Sequence, residues 1–100
     1  MKSLLFTSCL AASLAVVGPA QAAGDAAAGK AKAEECAVCH GDRGEGVEAP
    51  KIAGKTESEL VQAMRDYKTG KRQDATMKEL MSKLSDQDMA NLAAYYASMK

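Results

Sequence analysis

Apolar positions change their spacing several times along this chain, and each change marks an element. Leu4-Leu5-Phe6 through Leu14-Ala15-Val16-Val17 is uncharged and largely apolar, preceded by Lys2 and followed by Gly18-Pro19 and Ala20-Gln21-Ala22. The run is too short to span a membrane and ends on small residues, the order of a secretory signal peptide with an A-x-A processing site. Residues 1–22 are therefore predicted to be cleaved, with export to the periplasm and no membrane span in the mature form, a single domain of residues 23–100. Asp25 is placed to cap a helix from about Ala26 to Val38, rich in good helix formers. Gly29 sits inside it, where glycine costs about 1 kcal/mol against alanine. It shares a face with Ala33, either a smooth patch for another helix or an exposed glycine of no consequence.

Residues 41–52 read as a loop, broken by Gly41, Gly44, Gly46 and Pro50. Thr56-Glu57-Ser58-Glu59 is a capping-box pattern and predicts a helix to about Thr69, stopped by Gly70, with Leu60, Met64 and Tyr67 on its buried face. Residues 71–84 read as a second irregular stretch with room for one helical turn. Ser85, with Asp88 as a weaker partner, then opens the last helix, where Met89, Leu92, Tyr96 and Met99 line one side and Tyr95 lies beside them. No strand-like alternation occurs. The fold class is all-α: three main helices and two long loops, the form a small chain needs to wrap a flat cofactor.

Charge narrows the function classes. Thirteen basic and 13 acidic residues in 100 exclude a strongly basic nucleic-acid binder, and the length excludes a multidomain enzyme. Without residues 1–22 the chain has neither Phe nor Trp and keeps three tyrosines. Domains below roughly 80 residues seldom fold securely on their own core, so a disulfide, metal, cofactor or partner is expected to fill this one.

The cysteines say which. Cys9 leaves with the signal, and most of the apolar run follows it, which argues against a lipoprotein site. Cys36-Ala37-Val38-Cys39-His40 remains, the C-x-x-C-H attachment signature of c-type haem. Two thiols at this spacing can each add to a haem vinyl group, and the next residue then comes under the iron, where His40 offers an imidazole nitrogen. A thioredoxin-like redox pair lacks its strand–helix context. A zinc site lacks ligands, since residues 23–100 hold no other Cys and no second His. A lone structural disulfide remains compatible with export.

Taken together, these residues resemble a class I cytochrome c of the small bacterial type, similar to cytochromes c-553 and the halves of cytochromes c4. The resemblance rests on Gly24-Asp25-Ala26-Ala27-Ala28-Gly29-Lys30, the attachment site through Gly41, Pro50-x-Ile52-x-Gly54, Gly70-Lys71-Arg72, Met77 ahead of Leu84-Ser85-Asp86, and Leu92-Ala93-Ala94-Tyr95-Tyr96. It implies one covalently attached haem c held by thioethers from Cys36 and Cys39, with His40 as proximal iron ligand. The Pro50 carbonyl would accept the other imidazole N–H. Gly29 and Ala33 would cross Leu92 and Tyr95, and Arg72 would face a haem propionate or be a solvated loop charge.

A methionine sulfur as second axial ligand would raise the potential relative to a second histidine. Met64, Met89 and Met99 fall on predicted buried faces and are read as core. Met77 and Met81 lie in the irregular stretch; family spacing selects Met77 as metal ligand, with Met81 the alternative. The resemblance implies a one-electron carrier rather than an enzyme, docking transiently with other redox proteins, monomeric or weakly dimeric, with no nucleic acid partner. Lys51-Lys55 or Lys68-Lys71-Arg72 either guide one docking face or merely solvate the surface. Two other readings stay open: the haem subunit of a larger oxidoreductase, and a haem protein with an open sixth position for sensing or catalysis.

Overall fold

The computed structural model describes residues 23–99; the predicted signal peptide, residues 1–22, lies outside them. Among the described residues five helices follow one another: α1 (Ala26–Lys32), α2 (Glu34–His40), α3 (Glu57–Thr69), α4 (Ala75–Ser82) and α5 (Asp86–Ala97). Among the described residues there is no strand, so the all-α reading holds.

The helix starts are those that local chemistry dictates. The Asp25 carboxylate accepts from the Ala27 and Ala28 N–H groups, satisfying donors that have no partner within the helix. Thr56 with Glu59, and Ser85 with Asp88, form complete capping boxes. Gly70 ends α3 in the left-handed region.

Two details depart from the sequence expectation. The predicted helix over 26–38 runs on to His40 but is interrupted at Ala33, whose N–H bonds to the Lys30 carbonyl three residues back. This tightened turn separates α1 from α2. Residues 71–84 are not irregular throughout, for α4 occupies 75–82. The Asp74 side chain accepts from Met77 N–H at 2.9 Å and starts this helix. The Lys68 ammonium donates to the Leu84 carbonyl, anchoring the chain between α4 and α5 against the end of α3.

α5 is the centre of the molecule and packs against both α1 and α3. Met89 and Ala93 are fully buried, and Leu92 and Tyr96 nearly so. α1 crosses α5 so closely that a β-carbon on Gly29 would overlap the Asn91 carbonyl and stand 2.9 Å from Tyr95 Cβ. The glycine is there because backbone meets backbone, and Ala33, also buried, continues the same small face.

Asn91 is the buried polar group that fixes this crossing. Its Oδ1 accepts from Asp25 N–H and from Gln87 Nε2, both at 2.8 Å. Asn91→Ala strands the Asp25 N–H, which is partly shielded from water. The expected loss is about 1–3 kcal/mol of unfolding free energy, read as a lower denaturant midpoint with an unchanged slope.

Candidate cofactor site

The loop after His40 folds back over the end of α2. That end leaves carbonyls without intrahelical partners, and the loop supplies their donors. Gly46 N–H bonds to His40 O at 2.8 Å, and the N–H groups of Glu48 and Ala49 both reach Cys39 O at 3.0 Å. Ile52 and Ala53 in turn bond to Gly44 O. Gly44 has φ +63°, and a β-carbon there would press on the Tyr96 ring and on Ile52. The loop is thus a packed cap between α2 and α5.

Its consequence is the placement of Pro50, whose carbonyl stands 2.7 Å from His40 Nδ1. A carbonyl can only accept, so Nδ1 carries a proton, and in the neutral ring the lone pair is then on Nε2, the tautomer a metal ligand requires. His40 is buried, 8 % exposed.

His40, Cys36 and Cys39 line a cavity of about 660 Å³. The loop contributes Pro50 and Ile52, α3 contributes Leu60, Met64 and Tyr67, and α5 contributes Leu92 and Tyr96. α4 contributes both Met77 and Met81, one turn apart on one face of the helix. α2 and α4 do not pack against one another, so His40 and the α4 methionines reach the cavity from separate walls.

The two α4 methionines differ in packing. Met81 is 2 % exposed, its surface already taken up by protein neighbours, whereas Met77 is half-buried. Met64, read from sequence as core, packs against the core and lines the cavity too. Met89 is fully buried and Met99 partly so, both as expected for core residues. Arg72 also borders the cavity, with its guanidinium carbon 4.8 Å from the Tyr67 ring centroid. That cation–π contact was not legible from spacing.

Cys36 and Cys39 are not joined to each other. Burial pushes the Cys36 thiol above its ordinary range. Tyr96 is the residue whose role the sequence under-read. It was singled out for packing, yet its hydroxyl is buried without a hydrogen-bond partner.

The residues present fit a flat, largely apolar group that brings its own in-plane metal ligands. The volume is of the size that encloses a cofactor. Two thiols stand next to one imidazole, and methionine sulfur is available from another wall. Among the described residues no cluster of three or more His, Cys, Asp or Glu could hold a bare metal ion, so the donor set suits axial ligation rather than a protein-only site.

Comparison with known proteins agrees with this chemistry. The family model for cytochrome c matches residues 26–100. Cytochrome c4 of Pseudomonas aeruginosa is 50 % identical over 102 residues, covering all of this chain and 50 % of that protein. Cytochrome c-554(548) of Halomonas halodenitrificans is 39 % identical over 83 residues, covering 78 % of this chain and all of that one. The crystal structure of reduced recombinant cytochrome c4 from Pseudomonas stutzeri superposes with a TM-score of 0.73 at 37 % identity, over 78 % of this chain and 47 % of that one. The chain thus spans about half the length of the cytochromes c4 it matches. With its C-x-x-C-H arrangement at Cys36, Cys39 and His40 on the wall of a cofactor-sized cavity, the chain belongs to the cytochrome c family, whose cofactor is covalently bound haem c with its iron.

Proposed function

We propose that this chain is a one-electron carrier with a single haem c, exported to the periplasm by residues 1–22 and serving other redox proteins by transient docking. Cys36 and Cys39 would hold the haem through thioethers, His40 Nε2 and Met77 sulfur would ligate its iron, and Arg72 would contact the haem. When bound, haem supplies a one-electron couple at iron; the protein sets its potential and access. The observation that carries the reading is the 2.7 Å bond from His40 Nδ1 to Pro50 O. It orients the imidazole and places a proton on Nδ1, while α4 offers methionine sulfur from another wall. Two fixed protein ligands let iron change oxidation state with little movement, which suits transfer rather than bond-making chemistry.

The residues around the cavity also favour transfer. The chain's only histidine is engaged through Nδ1, which leaves no second imidazole for general acid–base work. No helix among the described residues is long and apolar enough to cross a membrane. Val38, inside the attachment motif, and Val47, in the loop capping it, are the large apolar side chains most open to solvent, at 76 % and 71 % exposed. They offer a small apolar contact close to the thioether edge, in keeping with the limited interfaces of redox encounters.

The test is the optical spectrum of the exported protein, oxidised and then reduced. Sharp low-spin bands, with the weak charge-transfer band of methionine sulfur on ferric iron, are the expected result. High-spin bands or rapid carbon monoxide binding would show an open sixth position and move the function to sensing or catalysis.

A further inference from the structure

Tyr96 carries a polar group that packing does not explain. The residue is 3 % exposed and belongs to the central core with Ala33, Leu60, Leu92 and Ala93. Its ring packs against Gly44 and stands 5.0 Å from the Tyr95 ring, centroid to centroid. Phenylalanine would fill the same volume. The hydroxyl adds a desolvated donor, buried and with no partner at full hydrogen-bond geometry among the described residues, although Cys36 already bears on it as a hydrogen-bonding neighbour. Such an arrangement disfavours folding unless a good acceptor is supplied.

The candidates for that partner are few. Burial above all pushes the ionisation of the hydroxyl far above the ordinary range, and the ionisable groups that bear on it are Cys36, Tyr95 and Asp42. At neutral pH the group is therefore O–H, a donor in search of an acceptor. Asp42 is exposed on the loop, where water competes for its carboxylate. Cys36 is half-buried and packs against the same core cluster as Tyr96. Its sulfur as a thiol carries a hydrogen of its own; as a thioether it has none and can only accept. The hydroxyl and the Cys36 sulfur become matched donor and acceptor when Cys36 is alkylated.

We propose that Tyr96 is a positioning residue for the haem, its O–H donating to the Cys36 thioether sulfur. The proposal rests on covalent attachment at Cys36. It makes the two thioethers unequal: the Cys36 edge is held to α5 through Tyr96, and the Cys39 edge is not. A donor at this sulfur draws electron density away from the macrocycle and favours ferrous over ferric iron.

The experiment uses the haem-loaded protein and its Tyr96→Phe variant. Redox titration against a reference dye is expected to show the variant shifted toward the ferric form by roughly 2- to 10-fold in the equilibrium constant, the size of one ordinary hydrogen bond. In the unmutated protein, exchange into heavy water is expected to shift the C–S vibration of one thioether in the resonance Raman spectrum. That shift is absent in Tyr96→Phe and retained in Asp42→Asn. An unchanged potential with a raised unfolding midpoint would show the hydroxyl to be only a buried orphan. Absence of the isotope shift in the unmutated protein, together with a potential that moves on Asp42→Asn, would hand the acceptor role to the carboxylate. The isotope measurement needs no mutation, so it decides even if Tyr96→Phe does not fold. Haem that can be extracted from the unfolded chain without breaking a covalent bond would sink the attachment itself, and is read separately by the mass of the denatured protein.

Discussion

Gly29→Ala is expected to lose about 3 kcal/mol of stability, although alanine is the better helix former by about 1 kcal/mol. The added methyl has nowhere to go. Its nearest neighbours are the Asn91 carbonyl and the β-carbon of Tyr95, backbone and the root of a side chain, neither of which can swing aside. Relief requires α1 to lift from α5. That movement strains the Asp25 N–H bond to Asn91 Oδ1 and uncovers Ala33. Denaturant unfolding of the haem-loaded variant provides the check. A midpoint equal to or above that of the parent would mean that the two helices are not in close backbone contact. Gly24 meets the Ala90 carbonyl and Ala94 Cβ in the same way, so the crossing is close at two points.

The second large effect separates the two α4 methionines. Met77→Ala is expected to abolish the charge-transfer band, leave the sixth position open to carbon monoxide and lower the potential, with a modest change in stability. Met81→Ala is expected to keep the band and lose about 2–5 kcal/mol, the cost of truncating a fully packed side chain. The asymmetry follows from packing. Met81 is 2 % exposed, whereas Met77, whose N–H is held by the Asp74 cap, is half-buried beside the cavity. The reverse pattern, with the band surviving Met77→Ala and vanishing in Met81→Ala, would reassign the ligand.

What could be read from residues alone was what is local in sequence. Caps at Asp25, Thr56 and Ser85 are patterns of at most four residues, and each forms as expected. C-x-x-C-H is a five-residue pattern with one dominant chemistry, and the family to which it pointed is the one the chain matches. The break at Ala33 had no signal, because alanine favours the helix it interrupts. α4 was under-read because its cap, Asp74, has no Glu or Gln three residues on to complete a box; Met77 stands there. Tyr96 lies on a predicted face and Asn91 on none, and the polar atoms of both acquire meaning only from what lies opposite: Asp25 N–H for Asn91, and the neighbouring Cys36 for Tyr96. The Pro50 contact came from family resemblance, and its physical reason is visible only in the structure. The loop that satisfies the Cys39 and His40 carbonyls delivers Pro50 to the imidazole.

The closure of α1 upon α5 joins residues 66 positions apart, and this bears on the order of events in the life of the chain. A polypeptide that emerges N-terminus first shows its α1 segment long before the segment that will cover it exists. At that stage the Cys36–His40 stretch has no α3, α4 or α5 to wall it in, and the burial that later hinders the Cys36 thiol has not been imposed. The thiols are therefore most open to alkylation early, and docking of the last helix comes late, over the finished linkage. Long-range closure is ordinarily a kinetic handicap; here it leaves an interval in which the attachment chemistry has free access.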